Sequence, residues 1–284
     1  MSAVRVFIFT LLALLAFAGN SLLCRAALIQ TSIDPVSFTA VRLMSGALVL
    51  WLLISIRTEH NAGQGNWWSA LALFVYAIAF SVSYVNLSTA AGALLLFGAV
   101  QASMIAYGLW QGERFSLLQS LGFVFACAGL VGLLLPGLSA PPVDAGLLMI
   151  MAGVAWGVYS LRGKSGGDPI KVTAGNFIRT VPLALILALV FLDGLLLDLD
   201  GVWYAVLSGA LTSGLGYALW YTALPYLKAS TAATVQLSVP LVAAMGAVLF
   251  LAEPFSLRLI LASIAILGGI ALVTLTARNA KDTT

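Results

Sequence analysis

Two stretches of this sequence, GERFSLLQ at residues 112–119 and AEPFSLRL at residues 252–259, share the pattern Glu-x-Phe-Ser-Leu. The pattern begins at Glu113 and again at Glu253, and each copy stands just before a long apolar segment. Repetition of a motif at such a large spacing indicates an internal duplication. The two copies therefore predict a chain built from two similar halves.

The composition of the chain is typical of a membrane protein. Hydrophobic residues make up 62% of its 284 residues and charged residues only 8%, whereas soluble proteins carry about 25% charged residues. Lys and Arg number 13 against 10 Asp and Glu, without a basic run, so no nucleic-acid partner is expected. Cys24 and Cys127 have neither CxxC nor metal-ligand spacing, and we predict no cofactor, metal site or disulfide framework.

Ten apolar segments are long enough to cross a bilayer, which takes about 20 residues of helix. They lie at 5–28, 35–56, 67–86, 90–110, 116–135, 143–161, 170–192, 202–224, 230–251 and 256–275. Clusters of turn-forming residues separate them. The first segment also resembles a signal peptide, with Ala16-Phe17-Ala18 as a cleavage site, but its apolar run continues to Ile29 and favours a span.

The orientation follows from Lys and Arg, which collect in short cytoplasmic loops. With the amino terminus inside, the cytoplasmic side holds Arg5, Arg57, Arg114, Arg162, Lys164, Lys171, Lys228, Arg278 and Lys281. The opposite loops hold Arg25 and Arg258. We therefore predict that both termini are cytoplasmic.

The two motif copies precede the fifth and the tenth span, which divides the chain into halves at 1–138 and 139–284. AFAGNSL at 16–22 also resembles AWGVYSL at 155–161. Because five is an odd number of spans, the second half must lie upside down relative to the first. The predicted fold is thus an all-α integral membrane protein of ten transmembrane helices in two inverted-topology repeats of five, an arrangement typical of secondary transporters.

The motif itself is predicted to be architectural. Ser116 and Gln119 have the spacing of a capping box for the fifth helix. We expect the carboxylates of Glu113 and Glu253 to face headgroups and water rather than substrate.

The ten spans, the five-plus-five duplication, Asn20-Ser21 in the first span, Arg42 in the second and the paired Glu-x-Phe-Ser motif together resemble the EamA-type branch of the drug/metabolite transporter superfamily. Within it the chain is most similar to bacterial inner-membrane exporters of aromatic and other amino acids. The resemblance implies efflux of a small solute from a central cavity, in a multi-pass protein of the inner membrane. The oligomeric state stays open, and a monomer is plausible.

Aromatic side chains form two stripes at helical spacing. Tyr76, Phe80 and Tyr84 share one face of the third span, and Tyr217, Trp220 and Tyr221 share one face of the eighth. Such stripes indicate either helix packing or a cavity wall. The resemblance implies the latter, because both helices line the cavity in that family.

Further candidates for the substrate site are polar or aromatic residues at membrane depth, which usually face a cavity or another helix. They are Asn20, Gln101, Trp156, Tyr159 and Gln236. The alternative role for the polar ones is interhelical hydrogen bonding.

Arg42 and Arg179 are charged residues well inside spans, at equivalent places in the two halves. A buried arginine is costly in a bilayer, so each is predicted to pair with a loop carboxylate or helix-end carbonyls, or to reach the interface. We assign them a structural or gating role first, and binding of a substrate carboxylate second.

No convincing acidic residue lies at membrane depth. The hypothesis for energy coupling is therefore facilitated diffusion driven by the solute gradient, or weak coupling through Arg42, Asp34 or a charged substrate. An enzyme is not expected, because HExxH, a serine with a basic partner, and paired intramembrane aspartates are missing from the sequence. The open alternatives are a passive pore, a lipid-handling protein, and an exporter of aromatic cations or drugs.

Overall fold

The computed structural model describes residues 1–56, 64–112, 115–135, 140–163, 168–227 and 235–281, with side chains up to residue 273. Every regular element in these ranges is helical. The long helices are α1 (Ala3–Gln30), α2 (Pro35–Ile56), α3 (Trp67–Tyr84), α4 (Thr89–Trp110), α5 (Leu117–Leu134), α6 (Val143–Arg162), α7 (Pro169–Val190), α8 (Leu199–Tyr226), α9 (Ser238–Leu251) and α10 (Leu257–Lys281). A short 3₁₀ turn, Leu192–Gly194, follows α7.

Eight of these helices, α1 to α8, are long and apolar enough to cross a membrane. The other two, α9 and α10, are also apolar but are shorter over their described side chains, and residues 228–234 before α9 lie outside the described part of the chain. The prediction of an all-helical membrane protein is confirmed. The large apolar side chains that the bundle leaves exposed are those expected to face lipid.

Side-chain caps explain where several helices begin. Asn66 accepts a hydrogen bond from the amide of Ser69 at 2.9 Å and starts α3. Ser116 and Gln119 form the predicted capping box at the start of α5, in which each side chain bonds the other residue's amide. This prediction from the first motif copy is confirmed.

The helices pair in a pattern with internal symmetry. The main contacts are α3 with α6, α1 with α8, α4 with α6, α1 with α9, α2 with α8, α3 with α7, α2 with α7, α4 with α9, and α5 with α10. This set of contacts is unchanged when α1 to α5 are relabelled as α6 to α10 and α6 to α10 are relabelled as α1 to α5.

The span α8 is not a regular α-helix. Its central part, Leu207–Leu215, is a π-helix, in which the amide of Gly216 donates to the carbonyl of Leu211. π-Helical turns are rare and occur frequently at functional sites. This one brings the polar side chains of α8 to the buried side of the bundle.

Glu253, in the second motif copy, ties together one end of the bundle. Its carboxylate accepts hydrogen bonds from Nε of Arg25 at 3.0 Å and from the amide of Thr89, the first residue of α4, at 2.7 Å. The expectation that it faces headgroups and water is therefore wrong. The reason is that an arginine near the end of α1 and the free amides at the start of α4 offer better partners. Glu113 lies outside the described residues.

At the opposite end of the bundle, hydrogen bonds link the residues around the start of α3 to the end of α6 and the start of α7. The guanidinium of Arg162 donates to Oγ of Ser69 at 3.3 Å and to Oδ1 of Asn66 at 3.2 Å. The amide of Asp168 donates to Oε1 of Gln64 at 3.1 Å. Helix α3 runs between the two ends, because its carboxyl-terminal carbonyl, that of Tyr84, bonds Arg25.

Candidate functional site

A small cavity lies between α1, α3 and α4 of the first half and α6 and α8 of the second. Its walls are formed by Phe17, Asn20, Ser21, Tyr76, Phe80, Leu96, Phe97, Trp156 and Tyr217. The cavity between these side chains has a volume of about 10 Å³, which is room for about one water molecule. The walls are therefore closed on one another, and a solute of amino-acid size fits only if the rings move apart.

Aromatic rings dominate the cavity walls. The ring centroids of Trp156 and Tyr217 are 4.7 Å apart, and those of Tyr76 and Trp156 are 5.0 Å apart. Phe17 packs edge-on against Tyr217 at 5.8 Å. Such contacts are favourable at these distances but weak enough individually to exchange for contacts with an aromatic or apolar ligand.

Asn20 provides a polar centre at the cavity wall. Its Nδ2 donates to the hydroxyl of Tyr76 at 3.2 Å, and its Oδ1 accepts from Oγ of Ser208 at 2.7 Å and from Oγ1 of Thr212 at 3.3 Å. Ser21, the next residue of α1, also lines the cavity, and its Oγ is buried without a hydrogen-bond partner. The site therefore combines rings with unused hydrogen-bonding capacity.

Arg42 lies directly behind this wall and is 1% exposed. Its Nη2 donates to the hydroxyl of Tyr76 at 3.1 Å, and its Nε donates to Oγ of Ser213 at 3.2 Å. Its guanidinium carbon lies 5.2 Å from the ring centroid of Tyr76 and 5.0 Å from that of Phe80, within cation–π range. Its Nη1 is buried without a hydrogen-bond partner.

The close approach of α8 to α2 places Ser213 beside Arg42. Gly209, in the π-helical part of α8, lies against the backbone carbonyl of Arg42 and the hydroxyl of Ser45, and an added Cβ would overlap both. Gly46 of α2 in turn lies against the carbonyl of Gly209. Glycine is required at this contact because the two backbones touch.

Arg179, which the sequence analysis placed at the position equivalent to Arg42, has different surroundings. It is partly exposed, and its Nη1 donates to the carbonyl of Gly175 at 2.8 Å and to that of Gln64 at 3.3 Å. The sequence analysis expected a loop carboxylate, helix-end carbonyls or a position at the interface, whereas Gly175 lies inside α7 and Gln64 lies in the segment before α3. Arg42 instead binds hydroxyls and ring faces, and it forms no ion pair within the described residues.

The structure brings together part of the predicted site. Asn20, Tyr76, Phe80, Trp156 and Tyr217 line the cavity, whereas the other six predicted residues do not. Those six are Tyr84, buried against the carbonyl of Thr89; Tyr159, packed at a tilt against Trp156; Trp220, packed on Phe17; Tyr221, buried beside Gly163; Gln101, buried in α4; and Gln236, partly buried before α9.

Six residues in or behind the cavity wall were not predicted from the sequence. They are Phe17, Leu96 and Phe97 in the cavity wall, and Ser208, Thr212 and Ser213 behind it. The stretch SGALTSG at 208–214 is the signal that could have revealed the last three, because small polar residues interrupt an otherwise apolar span. In the described part of the chain, no three His, Cys, Asp or Glu residues cluster as metal ligands would.

The comparisons with known proteins agree with this architecture. Residues 145–275 match the EamA-like transporter family. An uncharacterized protein of Pseudomonas aeruginosa is 56% identical over 270 residues, covering 95% of this chain and 94% of that protein. An uncharacterized transporter of Archaeoglobus fulgidus is 27% identical over 72% of this chain and 75% of its own length. The uncharacterized transporter YoaV of Bacillus subtilis is 21% identical over 88% of this chain and 90% of its own length.

One protein chain of known crystal structure shares the fold, with a TM-score of 0.69 and 19% identity over 98% of this chain and 99% of that chain. At this identity the likeness concerns the fold alone. Together with the helical bundle and its central cavity, the family match indicates a membrane transporter of small molecules. The chain thus contains an EamA-like transporter family domain at residues 145–275 and has distant relatives that are named uncharacterized transporters.

Proposed function

We propose that this protein is a secondary transporter of the inner membrane that exports small metabolites, in the first place aromatic and other neutral amino acids, by alternating access. The observation that carries the proposal is the closed cavity between helices of both halves, with aromatic walls and the polar centre around Asn20. Rings suit an aromatic or apolar side chain, and hydrogen-bonding groups suit the polar end of the same molecule.

The helix contacts support two inverted repeats of five helices, 1–138 and 139–284. An inverted duplication requires that contacts persist when corresponding helices are exchanged, and the main contacts of this bundle do so. Each end of the bundle has its own set of tethers, centred on Glu253 and on Asn66. Release of one set at a time would open the cavity to one side at a time, with both termini in the cytoplasm.

Energy coupling in this proposal comes from the solute gradient. The described carboxylates lie in loops or at helix starts, not in the middle of a span. A proton-coupled exporter needs an ionisable group at membrane depth that exchanges its proton for substrate. Counterflow with and without an imposed pH gradient tests this point, and accumulation against concentration that depends on the gradient would contradict it.

The decisive experiment is counterflow of radiolabelled solutes into proteoliposomes. We expect saturable uptake of L-phenylalanine, L-tryptophan or L-leucine that unlabelled solute competes away. Tyr217→Ala should reduce that uptake at least tenfold by removing a cavity wall, which corresponds to about 1.4 kcal/mol of binding. The matched control is Tyr226→Ala in the same span, because Tyr226 is exposed and lies outside the cavity.

The same assay separates the alternatives. Flux that does not saturate identifies a passive pore, and lipid movement in solute-free vesicles identifies a lipid-handling protein. Preferential flux of aromatic cations identifies a drug exporter. Each of these results would overturn the proposed export of amino acids.

A further inference from the structure

We propose that Arg42 is the recognition site for a carboxylate on the transported solute, and that the hydroxyl of Tyr76 occupies the place of that carboxylate in the closed protein. The inference rests on the proposed function and extends it, because it defines the chemical group by which the solute is selected. It follows from three features of the cavity wall: convergent donors, an uncompensated charge, and a movable acceptor.

The first feature is a concentration of hydrogen-bond donors on one oxygen atom. The hydroxyl of Tyr76 accepts hydrogen bonds from Nδ2 of Asn20 at 3.2 Å, from Nη2 of Arg42 at 3.1 Å and from the hydroxyl of Tyr217 at 3.5 Å. A phenol oxygen has two lone pairs and cannot satisfy three donors well. A carboxylate has about four acceptor positions and a negative charge, so it suits this set of donors better.

The second feature is the charge of Arg42. The guanidinium remains protonated in proteins, is 1% exposed here, and has one nitrogen, Nη1, without a hydrogen-bond partner. None of the described carboxylates forms an ion pair with it. An uncompensated charge within a span is costly, so a negatively charged group that reaches it gains Coulombic and bidentate hydrogen-bond energy.

The third feature is the position of Tyr76 between Arg42 and the cavity. Its hydroxyl bonds Arg42 on one side, while its ring lines the cavity with Phe80 and Trp156. Rotation of this one side chain would expose the guanidinium to a solute and release the hydroxyl to bond elsewhere. A cationic solute gains nothing from the same movement, because like charges would then face each other in a medium of low dielectric constant.

Three probes that share a phenylpropyl skeleton test the inference: 3-phenylpropionate, 3-phenylpropanamide and 3-phenylpropylamine. Their dissociation constants are measured from the shift in thermal unfolding midpoint of the detergent-purified protein. We expect the carboxylate to bind wild-type protein at least about tenfold more tightly than the amide, and the amine to bind least. In Arg42→Gln the carboxylate and the amide should differ by less than about twofold.

Arg179→Gln is the matched control, because it removes the equivalent arginine of the other half and should leave the tenfold preference unchanged. Tyr76→Phe supplies a second test that does not depend on the folding of Arg42→Gln. Without the competing hydroxyl, the carboxylate should bind Tyr76→Phe at least as tightly as it binds wild type, while the amide should bind less tightly.

The inference is overturned if wild-type protein binds the amide or the amine as tightly as the carboxylate, or if it binds none of the three probes. It is also overturned if Arg42→Gln keeps the preference for the carboxylate or if Arg179→Gln loses it.

Reconstitution into proteoliposomes separates failure of this inference from failure of the proposed function. Protein that binds the carboxylate but carries no solute across a bilayer would remove the proposed transport and keep the carboxylate site. Protein that carries solutes without preferring carboxylates would keep the proposed transport and remove the carboxylate site.

Discussion

Arg42 and Arg179 occupy corresponding places in the two repeats proposed above, yet their surroundings differ in chemistry. Arg179 is partly exposed and bonds two backbone carbonyls, those of Gly175 and Gln64, near one end of the bundle. Arg42 is fully buried among hydroxyls and ring faces and keeps one nitrogen unbonded. The same residue type therefore serves as a structural tether at position 179 and lies directly behind the cavity wall at position 42.

If the two halves are the inverted repeats proposed above, this difference makes the site between them asymmetric. The main helix contacts are preserved when α1 to α5 are exchanged for α6 to α10. However, α3 is α-helical throughout and has no equivalent of the π-helical part of α8. That part supplies Ser213 to Arg42 and Ser208 to Asn20. The backbone of α8 thus differs locally from that of α3, and Arg42 has hydroxyl partners that Arg179 lacks.

The largest expected effect comes from adding a methyl group where backbones touch. Gly209→Ala would drive its Cβ into the carbonyl of Arg42, and Gly175→Ala would do the same at the carbonyl of Gln64. Each should lower the free energy of unfolding by about 2–4 kcal/mol, measured by denaturant titration in detergent. Of the two, only Gly209→Ala should also weaken solute binding by more than about tenfold, because it displaces the wall of the cavity.

Gly132→Ala is the control for these two variants. Gly132 lies in α5 with open space around its Cβ position, so alanine should raise helix stability by about 0.5–1 kcal/mol. If Gly209→Ala proves as benign as Gly132→Ala, the close contact between α2 and α8 is misplaced.

The next effect concerns the tyrosine that separates Arg42 from the cavity. Tyr76→Phe removes the acceptor shared by Asn20 and Arg42 and should lower the free energy of unfolding by about 1–3 kcal/mol. Tyr217→Phe should cost less than about 1 kcal/mol, because its hydroxyl is 3.5 Å from that of Tyr76. Equal costs for the two variants, measured in the same titration, would argue against Tyr76 as the centre of the polar network.

Much of the fold could be predicted from the sequence, because the signals are local. Spans depend on runs of apolar residues, and the cap at Ser116 depends on a residue three positions away. The same holds for the inward-facing stripe that contains Tyr76 and Phe80, since helical spacing places both on one face.

The missing parts depend on contacts between distant segments. In an apolar span every phenylalanine has similar neighbours in sequence, so Phe17 and Phe97 could not be told apart from lipid-facing rings. The partner of Glu253 could not be predicted either, because Arg25 lies in the first helix and Thr89 in the fourth. A π-helix has no reliable pattern in a single sequence. The contact of Ser213 with Arg42 could therefore not be predicted.

A smaller effect is expected at the arginine that does have a carboxylate partner. The side chains of Arg25 and Glu253 are 17% and 11% exposed, which places their ion pair between buried and surface pairs. In a double-mutant cycle of Arg25→Gln and Glu253→Gln we expect a coupling energy of about 1–2 kcal/mol in the free energy of unfolding. Strict additivity would mean that this end of the bundle is held by other contacts.

The smallest effect is a pH dependence at Asp34, in the loop between α1 and α2. Partial burial opposes ionisation, but hydrogen bonds from Ser37 and from the amides of Leu196 and Val36 outweigh it and hold the pKa of Asp34 below its usual value. Because the folded-state pKa is lowered, its contribution is complete above the usual aspartate pKa and is lost as the pH falls through the lowered one.

Asp34→Asn should therefore be less stable than wild type at pH 7 by less than about 1 kcal/mol, which reflects the lost charge at the start of α2. The difference should shrink as the pH falls from the usual aspartate pKa of about 4 through the lowered pKa of the folded protein, where the wild-type carboxyl becomes protonated. Thermal unfolding of both proteins from pH 3 to pH 7 measures this difference in stability. A difference that grows on acidification would contradict the hydrogen bonding described for Asp34.

The most direct test of the central claim asks where a bound solute sits. In a variant without Cys24 and Cys127, single cysteines are placed at Phe97, which lines the cavity, and at Gln101, which is buried one turn further along α4 outside it. The rate of N-ethylmaleimide labelling is measured with and without a solute that is active in counterflow. The account predicts protection of Phe97→Cys alone, and protection of Gln101→Cys alone, or of neither, would contradict it.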